Sequence, residues 1–155
     1  MPAPTTDSEL GPPLIGALMR MPVDVVRARM LAALHERGFT DVVGAHMVLL
    51  RWPGPEGRRP SEIAAQSEMS KQAVNYVLGQ LEQLGYLERR PDPDDQRSRR
   101  VHLTARGREV AMTMRAAVAE IEAEWTTLLG ESDFARLRAL LTRLNAGLAG
   151  DAAPG

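Results

Sequence analysis

Lys71, Gln72, Asn75, Tyr76 and Gly79 fall on one side of a helix drawn through KQAVNYVLGQLEQ, while Val74, Val77, Leu78, Leu81 and Leu84 recur at three- and four-residue steps on the other. An amide pair near a helix start suits the reading of base edges, since Gln and Asn can each contact adenine through two hydrogen bonds. Lys71 in the first turn opposes the helix dipole, a cost that a phosphate partner would offset. The same pattern also suits an ordinary amphipathic helix with a solvated face, and the residues around it decide between the two.

Before this helix, SEIAAQ reads as a short helix with Ile63 and Ala64 as its apolar side, and SEMS as a tight connection in which Ser70 is the N-cap of the second helix. Gly85 stops that second helix as a left-handed residue. Two helices joined by so short a turn make a helix-turn-helix, whose second helix can lie in the DNA major groove. Next come YLERR, a strand candidate, the turn cluster PDPDDQRS, and RRVHLT, whose alternation places Val101 and Leu103 on one face. This is a β-hairpin with Arg97, Arg99 and Arg100 near its tip, where arginines can enter the minor groove or hold phosphates. Asp94 and Asp95 would repel DNA there unless paired internally. Asp95 is therefore expected to brace an arginine, most simply Arg97, in a bidentate pair.

LxxLGYLERRPDPDDQRSRRVHLTARG resembles the wing of the MarR family of winged-helix transcription regulators. The residues carrying the resemblance are Leu81, Gly85, Tyr86, Leu87, Glu88, Arg89, Asp95, Arg97, Leu103, Thr104 and Gly107, and SEIAAQSEMSKQAVNYVLGQLE is similar to the same family's two helices. Two positions depart from it: Gln96 and Tyr76 stand where the family often has arginine. The resemblance implies a mainly α fold with a small β-hairpin wing, a winged helix-turn-helix carrying N- and C-terminal dimerisation helices. On that plan residues 1–13 are a disordered arm, 14–148 a single domain (14–40 and 104–148 for dimerisation, 41–103 the winged helix-turn-helix), and 149–155 a flexible tail.

At the site itself, Ser70, Lys71, Arg89 and Arg99 are expected to contact phosphates, Gln72, Asn75 and Tyr76 to contact base edges, and Arg97, braced by Asp95, to enter the minor groove. The resemblance further implies a homodimer on double-stranded, pseudo-palindromic DNA, most often as a repressor, and release by a small aromatic or lipophilic effector. His46, Met47 and Trp52 are the candidate effector contacts. No cofactor or metal is implied. The alternative is a winged-helix protein-interaction module without specific DNA binding, which the missing arginines at Gln96 and Tyr76 favour.

The flanking segments must position this site. Leu14 to Arg37 reads as helix with an interruption at Pro22, either a short helix followed by a longer one or a single kinked helix, closed by Gly38. Thr40 to Trp52 reads as another, with Asp41 in its first turn. Beyond the wing, Thr104 caps a long helix ending at Gly130, and Ser132 with Asp133 starts a last one bearing Phe134, Leu137, Leu140, Leu141, Leu144 and Leu148.

Composition narrows the classes. The 155 residues include no cysteine, which excludes disulfides, zinc-thiolate sites and thiol-based sensing. Net charge is −1, so bulk electrostatics do not by themselves indicate nucleic acid. His35, His46 and His102 are scattered without carboxylates at metal-ligand spacing, and the serines lie in caps or turns, so no enzyme constellation emerges. No segment has the roughly twenty apolar residues of a membrane span, and the start lacks a basic, then apolar, leader; a cytoplasmic protein is expected.

Overall fold

The computed structural model describes residues 11–51, 53–67 and 69–151. The chain contacts form two units divided between Arg115 and Ala116. The expected arm lies mostly, and the end of the expected tail wholly, outside the described residues, as does Trp52.

In the first unit, α1 spans Ile15–Glu36 as one helix with Pro22 inside it. One missing N–H does not end a helix whose remaining ladder is intact, and Pro22 sits on an exposed stretch where water can satisfy the freed carbonyl. Gly38, at φ +88°, turns the chain. Helix α2 is Gly44–Leu50, shorter at both ends than the Thr40–Trp52 expected, and Asp41 lies outside it. The reason is tertiary: the Asp41 carboxylate accepts from the Tyr86 hydroxyl and from Arg106 instead of facing a helix N-terminus.

Helix α3 is Pro60–Ser67 and α4 is Lys71–Gln83. Proline at the first position of α3 forgoes an N–H that has no partner there anyway, and Glu62 reaches back to accept the Arg59 N–H at 3.0 Å. The Ser70 hydroxyl accepts the Ala73 N–H at 3.1 Å, the expected cap of α4. At its other end, Gly85 at φ +78° lets Tyr86 N–H reach Leu81 O (2.9 Å) and Gly85 N–H reach Glu82 O (3.1 Å), a complete Schellman closure. Ile63, Ala64, Val74, Val77, Leu78 and Leu81 are buried with Leu34, Val42, Met47, Leu49, Leu50, Leu87, Val101 and Val110 in one core.

Strands β1 (Leu87–Asp92) and β2 (Asp95–Leu103) pair antiparallel, Leu87 opposite Leu103, and Arg58 adds a bridge to Val101. The eight-residue turn expected at 91–98 is only Pro93 and Asp94. Asp92 Oδ1 accepts the Asp94 N–H at 3.0 Å and closes it tightly. The register then slips, from Pro91 opposite Arg99 to Asp92 opposite Asp95, so Gln96, Arg97 and Ser98 form a bulge with no partner in β1.

Helix α5, Ala105–Leu129, crosses into the second unit, where α6 runs Glu131–Asp151. Thr104 is the expected cap of α5: its hydroxyl accepts the Gly107 N–H at 3.1 Å and donates to Gly85 O at 2.6 Å. Helix α6 begins one residue before Ser132 and continues through Gly147 and Gly150, further than the fraying expected there. Leu137, Leu140, Leu141, Leu144 and Leu148 are exposed along it, and Arg138 bonds Glu122 at 2.8 Å. Among the described residues no helix is long and apolar enough to cross a membrane.

Candidate nucleic-acid interface

The outer face of α4 follows from its inner one. With Val74, Val77, Leu78 and Leu81 buried, Lys71, Gln72, Asn75 and Tyr76 are exposed, Tyr76 at 68%, and Gly79 is half-buried. Ser70 is exposed at the same end, and no acid stands in the first turn. The expected reading residues thus share one accessible surface.

The wing holds a buried carboxylate that local spacing does not reveal. The Asp92 side chain is fully enclosed, accepts from Arg59 Nε at 2.6 Å, and lies 3.1 Å from Arg100 Nε. Arg100 Nη2 also reaches Asp94 Oδ2 at 2.8 Å. The Arg59 hydrogen bond, with help from the Asp94 N–H and Arg100, holds the Asp92 carboxyl well below the usual carboxylate range although burial opposes this. Arg59 thereby pins the wing tip to the start of α3, and Arg100 ties β2 to the same carboxylate. The expected bidentate Asp95–Arg97 pair is replaced by a backbone bond, Arg97 N–H to Asp95 Oδ1 at 3.0 Å. Arg97 sits in the bulge of β2, where a side chain needs no partner strand to aim it.

These pairs account for the balanced charge of the segment. Arg59 and Arg100 are held by Asp92, Arg89 by Glu82 at 3.1 Å, and Arg90 by Glu88 at 2.5 Å. Lys71, Arg97 and Arg99 are exposed without an ion pair among the described residues. The acids are largely consumed internally, and the unpaired positive charge lies on α4 and the wing. Arg89, an expected phosphate contact, is the exception, since Glu82 holds it.

The expected effector residues lie deeper. His46 and Met47 are 5% and 4% exposed, inside α2. His46 Nδ1 accepts the Val43 N–H at 3.3 Å and Nε2 lies 3.4 Å from Gln80 Oε1, so the ring is satisfied by the protein. An open hollow of about 360 Å³ lies elsewhere in the first unit, lined by Arg37, Phe39, Glu109, Met112 and Thr113. Beside Phe39, Tyr86 is wholly buried, donates to Asp41, accepts from Arg106 Nη2 at 3.0 Å and carries that guanidinium 4.5 Å above its ring. Burial, then the bond to Asp41, pushes the Tyr86 hydroxyl up to about 12. Arg59–Asp92 joins residues 33 apart, and Tyr86–Asp41 residues 45 apart, so no spacing rule finds either. Among the described residues no group of three or more His, Asp or Glu is placed to hold a metal.

Residues 45–98 match a sequence model described as the MarR family. A Bacillus subtilis (strain 168) protein, described as the uncharacterized HTH-type transcriptional regulator YkoM, is 36% identical over 74 residues, 48% of this chain and 47% of that one. The match thus spans about half the length of that curated relative. A Mycobacterium tuberculosis MarR family protein solved in complex with salicylic acid superposes with a TM-score of 0.64 at 28% identity, covering 87% of this chain and 98% of that one. The reduced form of Escherichia coli MarR gives 0.69 at 23% identity, covering 86% and 98%, a likeness of fold.

Proposed function

We propose that the chain is a MarR-type winged helix-turn-helix transcription regulator, as the match of residues 45–98 and the likeness of fold support, and that it binds a pseudo-palindromic DNA operator as a homodimer and represses the genes beside it. The observation that carries this reading is the sorting of charge. The wing arginines nearest the body are bound to buried or neighbouring acids, whereas Lys71, Arg97 and Arg99 stand exposed beside the amide face of α4. Ser70, Lys71 and Arg99, with Arg89 once released from Glu82, serve as phosphate contacts. Gln72, Asn75 and Tyr76 read base edges, and Arg97, its backbone fixed by Asp95, reaches the minor groove.

Exposed leucines along α6, and Leu14, Ile15, Leu18 and Met21 at the start of α1, support pairing with a second copy. The salicylic acid held by the Mycobacterium tuberculosis relative supports a small aromatic effector. Its binding would weaken operator affinity by favouring a different spacing of the two α4 helices. The competing reading, a protein-interaction module, draws on the uncharged Gln96 and Tyr76.

Arg97→Ala separates the two. A DNA regulator loses on the order of tenfold or more in operator affinity and has a shallower dependence on salt, by about two counterions because the dimer carries the change twice. Affinity and salt slope equal to the parent's would remove the wing from the interface.

A further inference from the structure

A hydrogen-bond chain behind the outer face of α4 bears on what Tyr76 reads. Its polarity is set at the buried end. His46 Nδ1 accepts the Val43 N–H at 3.3 Å, so Nε2 is the ring nitrogen left to donate. Nε2 faces Gln80 Oε1 at 3.4 Å, and a carbonyl oxygen can only accept. The Gln80 amide is thereby oriented, and its Nε2 donates to the Tyr76 hydroxyl oxygen at 3.3 Å. Tyr76 and Gln80 are one turn apart on α4, which suits this contact. With its oxygen accepting from Gln80, the Tyr76 hydroxyl has its own proton free to point outward, at a side chain 68% exposed beside Gln72 and Asn75.

We propose that the His46–Gln80 relay makes Tyr76 a specificity residue whose hydroxyl is presented to the major groove as a donor. It then selects an acceptor edge, guanine O6 or N7, adenine N7 or thymine O4, over cytosine, whose N4 amino group is itself a donor. His46 and Gln80 are positioning residues here, and touch no base. The inference rests on the DNA-binding reading above and adds to it the sign of one contact. A phosphate oxygen would also accept this proton, but would give affinity without base preference.

The test is selection from a duplex pool randomised across the site, using the full chain as parent, Tyr76→Phe and Gln80→Glu, each checked for folding by thermal unfolding. The parent is expected to prefer guanine, adenine or thymine over cytosine at one position of each half-site. Tyr76→Phe should lose that preference by about five- to tenfold and leave the other positions unchanged. In Gln80→Glu the carboxylate accepts from both His46 and Tyr76, the hydroxyl lone pairs face outward, and the preference should turn toward cytosine or the N6 amino group of adenine. A merely structural role for Gln80 would not reverse a base preference. Tyr76→Phe that weakens all sequences equally, or changes nothing, overturns the proposal, as does a folded Gln80→Glu that still prefers guanine. If Gln80→Glu does not fold, Tyr76→Phe alone decides. A parent that selects no sequence at all overturns the DNA-binding reading and this proposal with it, a result distinct from the others.

Discussion

A Cβ placed on Gly107 would stand 2.0 Å from the Tyr86 carbonyl oxygen, which is why this position on α5 carries no side chain. The same few residues make the joint compact. Thr104 N–H donates to Tyr86 O at 3.1 Å while its hydroxyl serves both Gly85 O and the Gly107 N–H. A backbone oxygen cannot yield as a flexible side chain can, so Gly107→Ala is expected to cost about 1–3 kcal/mol, toward the upper end. In thermal unfolding that is a drop in Tm of roughly 6–12 °C for a chain of this size. An unchanged Tm would mean that α5 and the end of α4 are not locked as described. This joint was legible in the sequence because Leu-Thr-x-x-Gly and Gly85 are local signals. The bonds of Tyr86 to Asp41 and Arg106 were not, because they join segments far apart in the chain.

The wing shows at the scale of an element what residue patterning conveys and what it omits. Alternation in RRVHLT located β2, and the Pro and Asp residues located the reversal. They did not reveal that the reversal takes two residues, or that the extra length of β2 is absorbed as a bulge presenting Arg97. That outcome depends on Asp92, an acid of no special spacing that becomes the anchor because Arg59 and Arg100 converge on it. Its carboxyl is held below the ordinary value of about 3.9, so its contribution to stability is fully present above that value and is lost as pH falls through the lower folded-state one. Asp92→Asn should therefore lower Tm relative to the parent by a constant margin between about pH 5 and 8, a margin that narrows below about pH 4. Thermal unfolding across pH 3–8 checks this. No margin at pH 7, or one that persists undiminished at pH 3, would contradict the anchor. The helix boundaries divide in the same way: α4 ended where Gly85 predicted, whereas α2 lost its expected first turn once Asp41 was drawn into a tertiary contact.

For the whole molecule, the apolar pattern of the terminal helices was readable, since leucines at three- and four-residue steps in α6 predict a face to be covered, and that face is exposed in a single chain. A second copy covering it would set two α4 helices about one DNA turn, roughly 34–36 Å, apart. A net charge of −1 is compatible with such a binder because Asp92, Glu82 and Glu88 are occupied by arginines of their own segment, while Lys71, Arg97 and Arg99 stand exposed without an ion pair among the described residues. The most direct measurement is a salt-dependent binding titration of the intact protein against duplex DNA from upstream of its own coding sequence, beside a scrambled duplex of equal length. A dimeric operator-binding regulator should place two chains on each site, bind tightly to the upstream duplex alone, and lose affinity steeply as salt rises. Equally weak binding to both duplexes would contradict sequence-specific recognition by α4 and the wing.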